Sequence, residues 1–350
     1  MAETPTMRRA LRLAEHSRDA QDLQRLLTVV REPVPTPGPG EVLVRVEASP
    51  CNPSDLIYLA GEYPAARPLP AIPGFEGAGT VVATGGGWTR LFAGRRVAFA
   101  TAEDGDGSWC DYAVVPAGQC IPLPGSVPSE QGATTIVNPL TAWSMVDRAR
   151  RERAPAIVHT AAVSQLGQQL LVLAGERRLP VIAVVRRADQ ADRARALGAA
   201  IAIDLLDDDA DEQLTRACRE LGASLAFDAI GATWPERLLR AMGAGSTCVV
   251  YGALGETTEM HLDLGTMLSG ECRVEGFYLG RWMRRAPLLR RLAAIRDVRR
   301  RFATGSLATE IAERVDLDGY PAALVRYRGA MSRGKVMLVP HGAELAGRQR

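Results

Sequence analysis

Histidine is scarce in this chain and its cysteines are unpaired, and both facts exclude chemistry. Four histidines are spread through 350 residues, which leaves no plausible cluster for a metal ion. The six cysteines, Cys51, Cys110, Cys120, Cys218, Cys248 and Cys272, show no Cys-x-x-Cys spacing and no paired framework. They read as reduced thiols that fill the core, and with no signal peptide in view the expected location is cytoplasmic. No apolar run approaches the roughly 18 residues of a membrane span. Net charge is only +2, so neither global polyelectrolyte behaviour nor nucleic-acid binding is expected. The opening residues, Met1 to Thr6, read as a loose tail without targeting content. Internal repeats and low-complexity segments are also missing.

What is present is a long chain with two styles of patterning. At 350 residues two domains are a better expectation than one core. The first third has short strands between Gly/Pro turns: Glu41–Ala48 after Pro35–Gly40, then Ala78–Thr84, Arg95–Ala100 and Tyr112–Val115. Such punctuation suggests a small β-barrel. From Ser129 a helical stretch leads to apolar strands separated by helices. The strands are Ala156–His159, Val181–Val185, Ala200–Ile203, Ser224–Phe227, Cys248–Tyr251 and Val274–Tyr278. Near-continuous apolarity fits parallel strands covered on both faces, hence a doubly wound α/β sheet. The expected division is 1–128 with 281–350 for the barrel domain and 129–280 for the sheet domain. A basic amphipathic helix is expected from Arg281 to about Phe302. The last strand, Lys335–Val339, should return to the first domain, with a frayed tail from Pro340.

Between Asn52 and Gly77 lies the frame of a metal site with its ligands missing. It reads Asn52-Pro53-Ser54-Asp55, Gly61-Glu62-Tyr63-Pro64 and Pro73-Gly74-Phe75-Glu76-Gly77. A zinc alcohol-oxidising site needs a thiolate near the first motif and a histidine before the glutamate. Asn52 and Phe75 hold those places, and neither is a zinc ligand. Tyr63 can still donate a proton or a hydrogen bond. Metal-free hydride and proton delivery is therefore the expected chemistry. Glu76, left over from the frame, is expected in an ion pair or hydrogen bonds rather than in catalysis.

The turn after the first parallel strand, His159 to Gln168, keeps small residues where a pyrophosphate would approach: Ala161, Ala162, Ser164 and Gly167. Ser164, Gln165, Leu166 and Gly167 are the expected contacts at the start of the following helix. His159, ending an apolar strand, reads as a satisfied core histidine. The second strand ends in Arg186 and Arg187, where a free ribose 2′-hydroxyl would call for an acid. Paired guanidinium groups suit a 2′-phosphate, so NADPH is expected over NADH.

With these residues in view, the chain resembles the zinc-free branch of the medium-chain dehydrogenase/reductase superfamily. Within it, the chain is similar to trans-2-enoyl-thioester reductases of the mitochondrial type, with quinone oxidoreductases as neighbours. The resemblance runs from Met7 to about Val339. Beyond the frame, Val137-Asn138-Pro139-Leu140-Thr141-Ala142-Trp143 and Gly276-Phe277-Tyr278-Leu279-Gly280-Arg281-Trp282 carry it. It implies a GroES-like catalytic barrel interrupted by a Rossmann domain, an active site in the cleft between them, and a homodimer paired through the last strands of the cofactor domain. Two departures stand out. Val163-Ser164-Gln165 replaces the usual paired glycines or Asn-Ser, and Arg281 stands where a neutral polar residue is common.

The implied reaction reduces a carbon–carbon double bond conjugated to a carbonyl. NADPH supplies hydride to the β-carbon, and Tyr63 gives or orients the proton for the α-carbon. A phenol near pKa 10 stays protonated at neutral pH. Asn52 would reach the nicotinamide ribose or the substrate, unless it merely caps a loop. Thr141 would face the nicotinamide, unless it bonds its own helix. Tyr251, Gly252, Phe277 and Leu279 lie at carboxyl ends of strands, where such sheets bind ligands. Tyr278 and Trp282 would wall the substrate pocket, with core packing as the plain alternative. Lys335 is an exposed strand-start lysine or a cofactor-phosphate contact. Nine arginines and one acid, Asp297, between Arg281 and Arg301 form a solvated face or a landing patch for coenzyme A or an acyl-carrier protein. An NADPH:quinone or small-enone reductase, and a non-catalytic NADPH-binding protein, stay open as other functions.

Overall fold

The computed structural model describes residues 5–19, 21–63, 67–255, 257 and 259–342. The expected loose start and frayed end lie partly outside these residues, as does Pro64 of the frame. Two compact units divide the chain: Met1–Val137 with Asp297–Arg350, and Asn138–Arg296.

The first unit opens with a hairpin that its sequence does not announce. Strand β1 (Met7–Leu13) pairs antiparallel with β2 (Leu27–Pro33), joined through the short helix α1 (Leu23–Leu26). Arginines interrupt its alternation, yet Arg8 is buried, donating to Glu32 Oε1 at 2.9 Å and to the Tyr112 carbonyl at 2.8 Å. Strand β3 (Glu41–Pro50) follows and buries Val42, Val44 and Val46. It leads into helix α2 (Pro53–Leu59). Here Asn-Pro-Ser-Asp is a helix start: Pro53 sits in the first turn, and the Asp55 carboxylate accepts from the Asn52 N–H at 2.7 Å. Next come β4 (Glu76–Thr84), β5 (Arg96–Ala100), β6 (Tyr112–Pro116), β7 (Cys120–Pro122) and the short α3 (Ser129–Gly132).

Helix α4 (Val137–Arg151) begins where the second unit does. Strand and helix then alternate: β8 (Ile157–Thr160), α5 (Gln165–Glu176), β9 (Val181–Val185), α6 (Ala188–Ala196), β10 (Ile201–Asp204), α7 (Ala210–Leu221), β11 (Leu225–Asp228), α8 (Trp234–Met242), β12 (Thr247–Val250), α9 (Leu264–Ser269) and β13 (Arg273–Gly276). All six strands are parallel, in the order β10-β9-β8-β11-β12-β13. Central β8, β9 and β11 are wholly buried, which their unbroken apolar runs require. Edge strand β13 places Arg273 and Glu275 in solvent. Strand order reverses beside β8, and such sheets bind ligands at the carboxyl ends of the strands at this switch point.

The single basic helix expected from Arg281 is two helices, α10 (Leu279–Arg285) and α11 (Leu288–Thr304). Pro287 explains the break: it lacks an N–H, and the preceding Ala286 is extended, with ψ 143°. The chain closes with β14 (Ile311–Val315), α12 (Tyr320–Arg328) and β15 (Lys335–Leu338). Strand β15 pairs with β3 through Met337–Pro50 and Leu338–Ser49. The first unit's sheet therefore runs β14-β15-β3-β4-β5-β7, with β6 also on β3. Beneath it Trp109 meets Tyr320 edge-on at 4.9 Å. All six cysteines are free and buried. Among the described residues no helix is long and apolar enough to cross a membrane.

Candidate active site

The frame without ligands is packed solid with polar groups. Asn52 precedes α2, Glu76 opens β4 and Lys335 opens β15, and all three are buried. Asn52 Nδ2 donates to Glu76 Oε1 at 2.9 Å. Glu76 Oε2 accepts from the backbone N–H groups of Ile136 at 3.3 Å and Val137 at 2.9 Å. Lys335 Nζ donates to the Cys51 carbonyl at 3.1 Å and to Asn52 Oδ1. The expectation of an exposed strand-start lysine is thus corrected. Pairing β15 with β3 carries Lys335 inward, and three acceptors or charges there repay the loss of water.

Burial governs the ionisation of this cluster. It pushes Glu76 up, against the Val137 and Asn52 hydrogen bonds and the Lys335 charge. It pulls Lys335 down, with Glu76 the chief opposing charge. Burial also raises Asp55 to about 7, although the Asn52 N–H and Lys335 favour its anion. One Asp55 oxygen, Oδ1, is buried without a hydrogen-bond partner. The Asn52 amide bridges the two groups, donating to Glu76 and accepting from Lys335. Hydrogen bonds hold Glu76, as expected. Both polar atoms of the Asn52 amide are engaged inside the unit.

The aromatic half of the frame is built on Phe75. Gly74 must precede it: φ is +99°, and a Cβ there would lie 2.4 Å from Ser108 Oγ and 2.5 Å from the Trp109 ring. Phe75 takes the place of a histidine and becomes a platform. Tyr63 lies against it, ring centroids 4.7 Å apart and planes tilted by 33°. The Arg67 guanidinium lies 5.2 Å from the same ring and 5.9 Å from Tyr58. Both Tyr63 and Phe75 pack on the core that contains Leu11, Tyr58, Trp109 and Tyr320.

The second unit supplies a dinucleotide turn. Ala161 adopts the left-handed conformation, φ 49°. Ser164 caps α5, its Oγ accepting from the Gly167 N–H at 3.2 Å. A Cβ on Gly167 would stand 2.4 Å from the Ala162 carbonyl oxygen, so only glycine lets α5 start this close to β8. Gln165 and Leu166 are buried, and the first-turn amides of α5 have no intrahelical acceptor. Such a cradle fits the pyrophosphate of a nicotinamide dinucleotide. Beneath it Thr160 Oγ1 donates to Asp228 Oδ1 at 2.7 Å, tying β8 to β11. Asp228 in turn accepts from the Gly231 N–H at 2.7 Å.

His159 is buried, and burial lowers it to about 3, so the ring is neutral. Its Nε2 shares a 3.0 Å hydrogen bond with the Tyr251 hydroxyl across β11, and Nδ1 has no partner. A satisfied core histidine was the expectation; one nitrogen is satisfied and the other is not. Arg186 and Arg187 are both exposed after β9. Arg187 is spent on Asp189, at 2.9 and 3.3 Å. The Arg186 side chain makes no hydrogen bond or ion pair among the described residues. Thr141 is buried in α4, and its carbonyl accepts from Ser144 Oγ at 2.8 Å. Trp282 meets Trp143 edge-on at 6.3 Å. Phe277 and Tyr278, between β13 and α10, and Leu279, which opens α10, are half-buried, and Gly252 follows Tyr251.

Two residues of the frame escape a reading of the motifs. Arg67 lies outside every motif and reaches Phe75 only through tertiary packing. Lys335 carried a visible sign: it is the only lysine, the other 41 basic residues counted with it being arginines. A slim ammonium with three rotatable donors fits a buried niche that a planar guanidinium would overfill.

Comparison with known proteins follows the same division. Residues 38–125 match the alcohol dehydrogenase GroES-like domain and residues 162–294 match the zinc-binding dehydrogenase family. A Mesorhizobium loti protein provisionally assigned as an NADPH:quinone reductase is 32% identical, with a TM-score of 0.89 over 97% of this chain and 100% of that one. The Bos taurus mitochondrial enoyl-[acyl-carrier-protein] reductase is 38% identical over 150 residues, 43% of this chain and 40% of that protein. This alignment therefore spans less than half of the bovine protein's length. A mycobacterial protein solved with NADPH shares the fold, at 23% identity and a TM-score of 0.79, over 95% of this chain and 100% of that one. The fold is a GroES-like domain with a Rossmann-type, six-stranded parallel sheet.

Proposed function

We propose that this chain, which belongs to the medium-chain dehydrogenase/reductase superfamily, reduces a carbon–carbon double bond conjugated to a carbonyl, with an enoyl thioester as substrate. The observation that carries this reading is the contact of Tyr63 with Phe75, where a metal-bound histidine would stand in a zinc enzyme. When bound, NADPH supplies the hydride for the β-carbon. Ser164, Gly167 and the first amides of α5 bind its pyrophosphate. Arg186, exposed and without a side-chain partner among the described residues, would meet the 2′-phosphate, while Arg187 would first have to leave Asp189. Tyr63 gives its proton to the α-carbon. Asn52, Glu76 and Lys335 hold the frame rigid rather than touching the substrate.

The thioester draws support from the bovine acyl-carrier-protein reductase and from the exposed Arg281, Arg285 and Arg296 on α10 and α11. Those arginines suit a coenzyme A phosphate or an acidic carrier protein. The full-length likeness to the provisional quinone reductase favours a second reading, a quinone or small-enone reductase. Open edge strand β13 suits pairing with a second copy in a homodimer.

NADPH oxidation against enoyl-coenzyme A, carrier-bound enoyl, quinone and free enone substrates separates these readings. Turnover of quinones alone would displace the thioester, and cofactor binding without any turnover would make the chain a non-catalytic NADPH-binding protein. Tyr63→Phe should lower turnover by about 100-fold with NADPH affinity unchanged. Unchanged turnover would remove Tyr63 from the mechanism.

A further inference from the structure

We propose that Arg67 is the positioning residue for proton delivery by Tyr63: its buried guanidinium holds the Phe75 platform and supplies the positive charge that a phenolate there requires. This rests on the reading of Tyr63 as the acid.

Arg67 is only 3% exposed. Its donors meet neutral acceptors: the Ile72 carbonyl at 3.2 Å, the Gly74 carbonyl at 3.3 Å, Thr101 Oγ1 at 2.5 Å and the Ala102 carbonyl at 3.1 Å. Its Nε is buried and has no acceptor among the described residues. Among the described residues it has no ion-pair partner. A buried cation without a counter-ion is costly, and one is tolerated where it serves a charge that appears only transiently. The two carbonyls from Ile72 and Gly74 bracket the turn that presents Phe75, so the same guanidinium also sets the platform's position.

The titratable and charged groups around this pair are few. Asp55 and Tyr58 come from α2, Glu62 adjoins Tyr63, His16 stands edge-on to Tyr58, and Asp106 comes from the loop before β6. Glu62 is bound by Arg18 at 2.6 Å, and Asp106 is bound by Arg8. Asp55 is raised to about 7 by burial, so it is a weak counter-ion at neutral pH. Burial pulls Arg67 down, and Asp55, Tyr58, Asp106 and Tyr63 pull it back. A phenolate on Tyr63 is the counter-ion this arrangement lacks.

The step balances as follows. After hydride reaches the β-carbon, the enolate electron pair forms the new C–H bond at the α-carbon. The Tyr63 O–H bond breaks, leaving the negative charge on Tyr63 Oη, with Arg67 on the same Phe75 ring as Tyr63. A solvent proton then restores the phenol, so each turnover consumes one proton along with the hydride.

Ultraviolet titration of tyrosinate, as the difference between each protein and its Tyr63→Phe counterpart, reads this charge without substrate. Arg67→Met should raise the Tyr63 midpoint by about one pH unit, and Arg67→Lys should stay near the parent. Arg67→Gln, which keeps a donor toward Gly74, takes the place of the Met variant if that variant does not fold. A midpoint unmoved in the neutral variants, or moved equally in Arg67→Lys, overturns the proposal. Because no substrate enters the titration, a shifted midpoint with no enoyl turnover would sink the reaction and leave the Arg67–Tyr63 coupling standing.

Discussion

At the residue scale, Lys335 shows how a buried cation is held by polar groups from distant parts of the chain. Its ammonium, the Asn52 amide and the Glu76 carboxylate form a buried chain where a zinc site would need ligands. Removing one member strands the others without water. Lys335→Met should therefore cost on the order of 3 kcal/mol in urea unfolding. Adding Glu76→Gln to that variant should recover part of the loss, because the stranded carboxylate goes too. A Lys335→Met protein as stable as its parent would refute this account. The hydrogen bonds of Glu76 could be anticipated from its type, whereas Asn52 was expected at the nicotinamide ribose or the substrate, or capping a loop, and its amide bonds to Glu76 and Lys335. That Lys335 would join them could not be anticipated, since 283 positions separate Lys335 from Asn52.

At the element scale, the strand–turn–helix from β8 to α5 is the best-determined piece. Its strand is apolar throughout, its turn residues are small, and Ser164 is a strong cap. Gly167 decides how closely the two elements approach. Gly167→Ala puts a Cβ against the Ala162 and Ala161 carbonyls and should push α5 away from β8. We expect a loss of about 1–3 kcal/mol in stability and at least tenfold weaker NADPH binding, read by thermal melting and fluorescence titration. Equal NADPH binding would mean that α5 does not contact the cofactor. Helices α10 and α11 show the opposite case. A run of arginines and leucines reads as one helix, and only the backbone limits imposed by Pro287 divide it. The β1–β2 hairpin was illegible for a related reason: Arg8 is buried by its distant partners Glu32 and Asp106, not by any local pattern.

At the scale of the whole molecule, two buried groups set opposing responses to acid. His159 is about 3 when folded against 6.5 when unfolded. The unfolded chain alone binds that proton between these values, so acidification through this window weakens the fold. Asp55 is about 7 when folded against 3.8 when unfolded. Here the folded chain alone holds the proton, so acidification from 7 toward 3.8 strengthens the fold. Each slope is on the order of 1 kcal/mol per pH unit where the windows overlap. Asp55→Asn should accordingly lose stability more steeply than the parent from about pH 6 to pH 4, and His159→Phe less steeply. Denaturant midpoints across that range check both, and slopes parallel to the parent would show that neither group is held as described.

Local patterning by itself determined the alternation of strands and helices, the parallel sheet, the dinucleotide turn and the missing zinc ligands. Each of these depends on neighbours in the chain: periodicity, turn formers, caps and side-chain chemistry. Tertiary structure alone decided that Lys335 is buried against Asn52 and that Arg67 shares the Phe75 ring with Tyr63. Those facts concern which charges lose their water and what replaces it. Desolvation belongs to the packed molecule, so no stretch of sequence can state it.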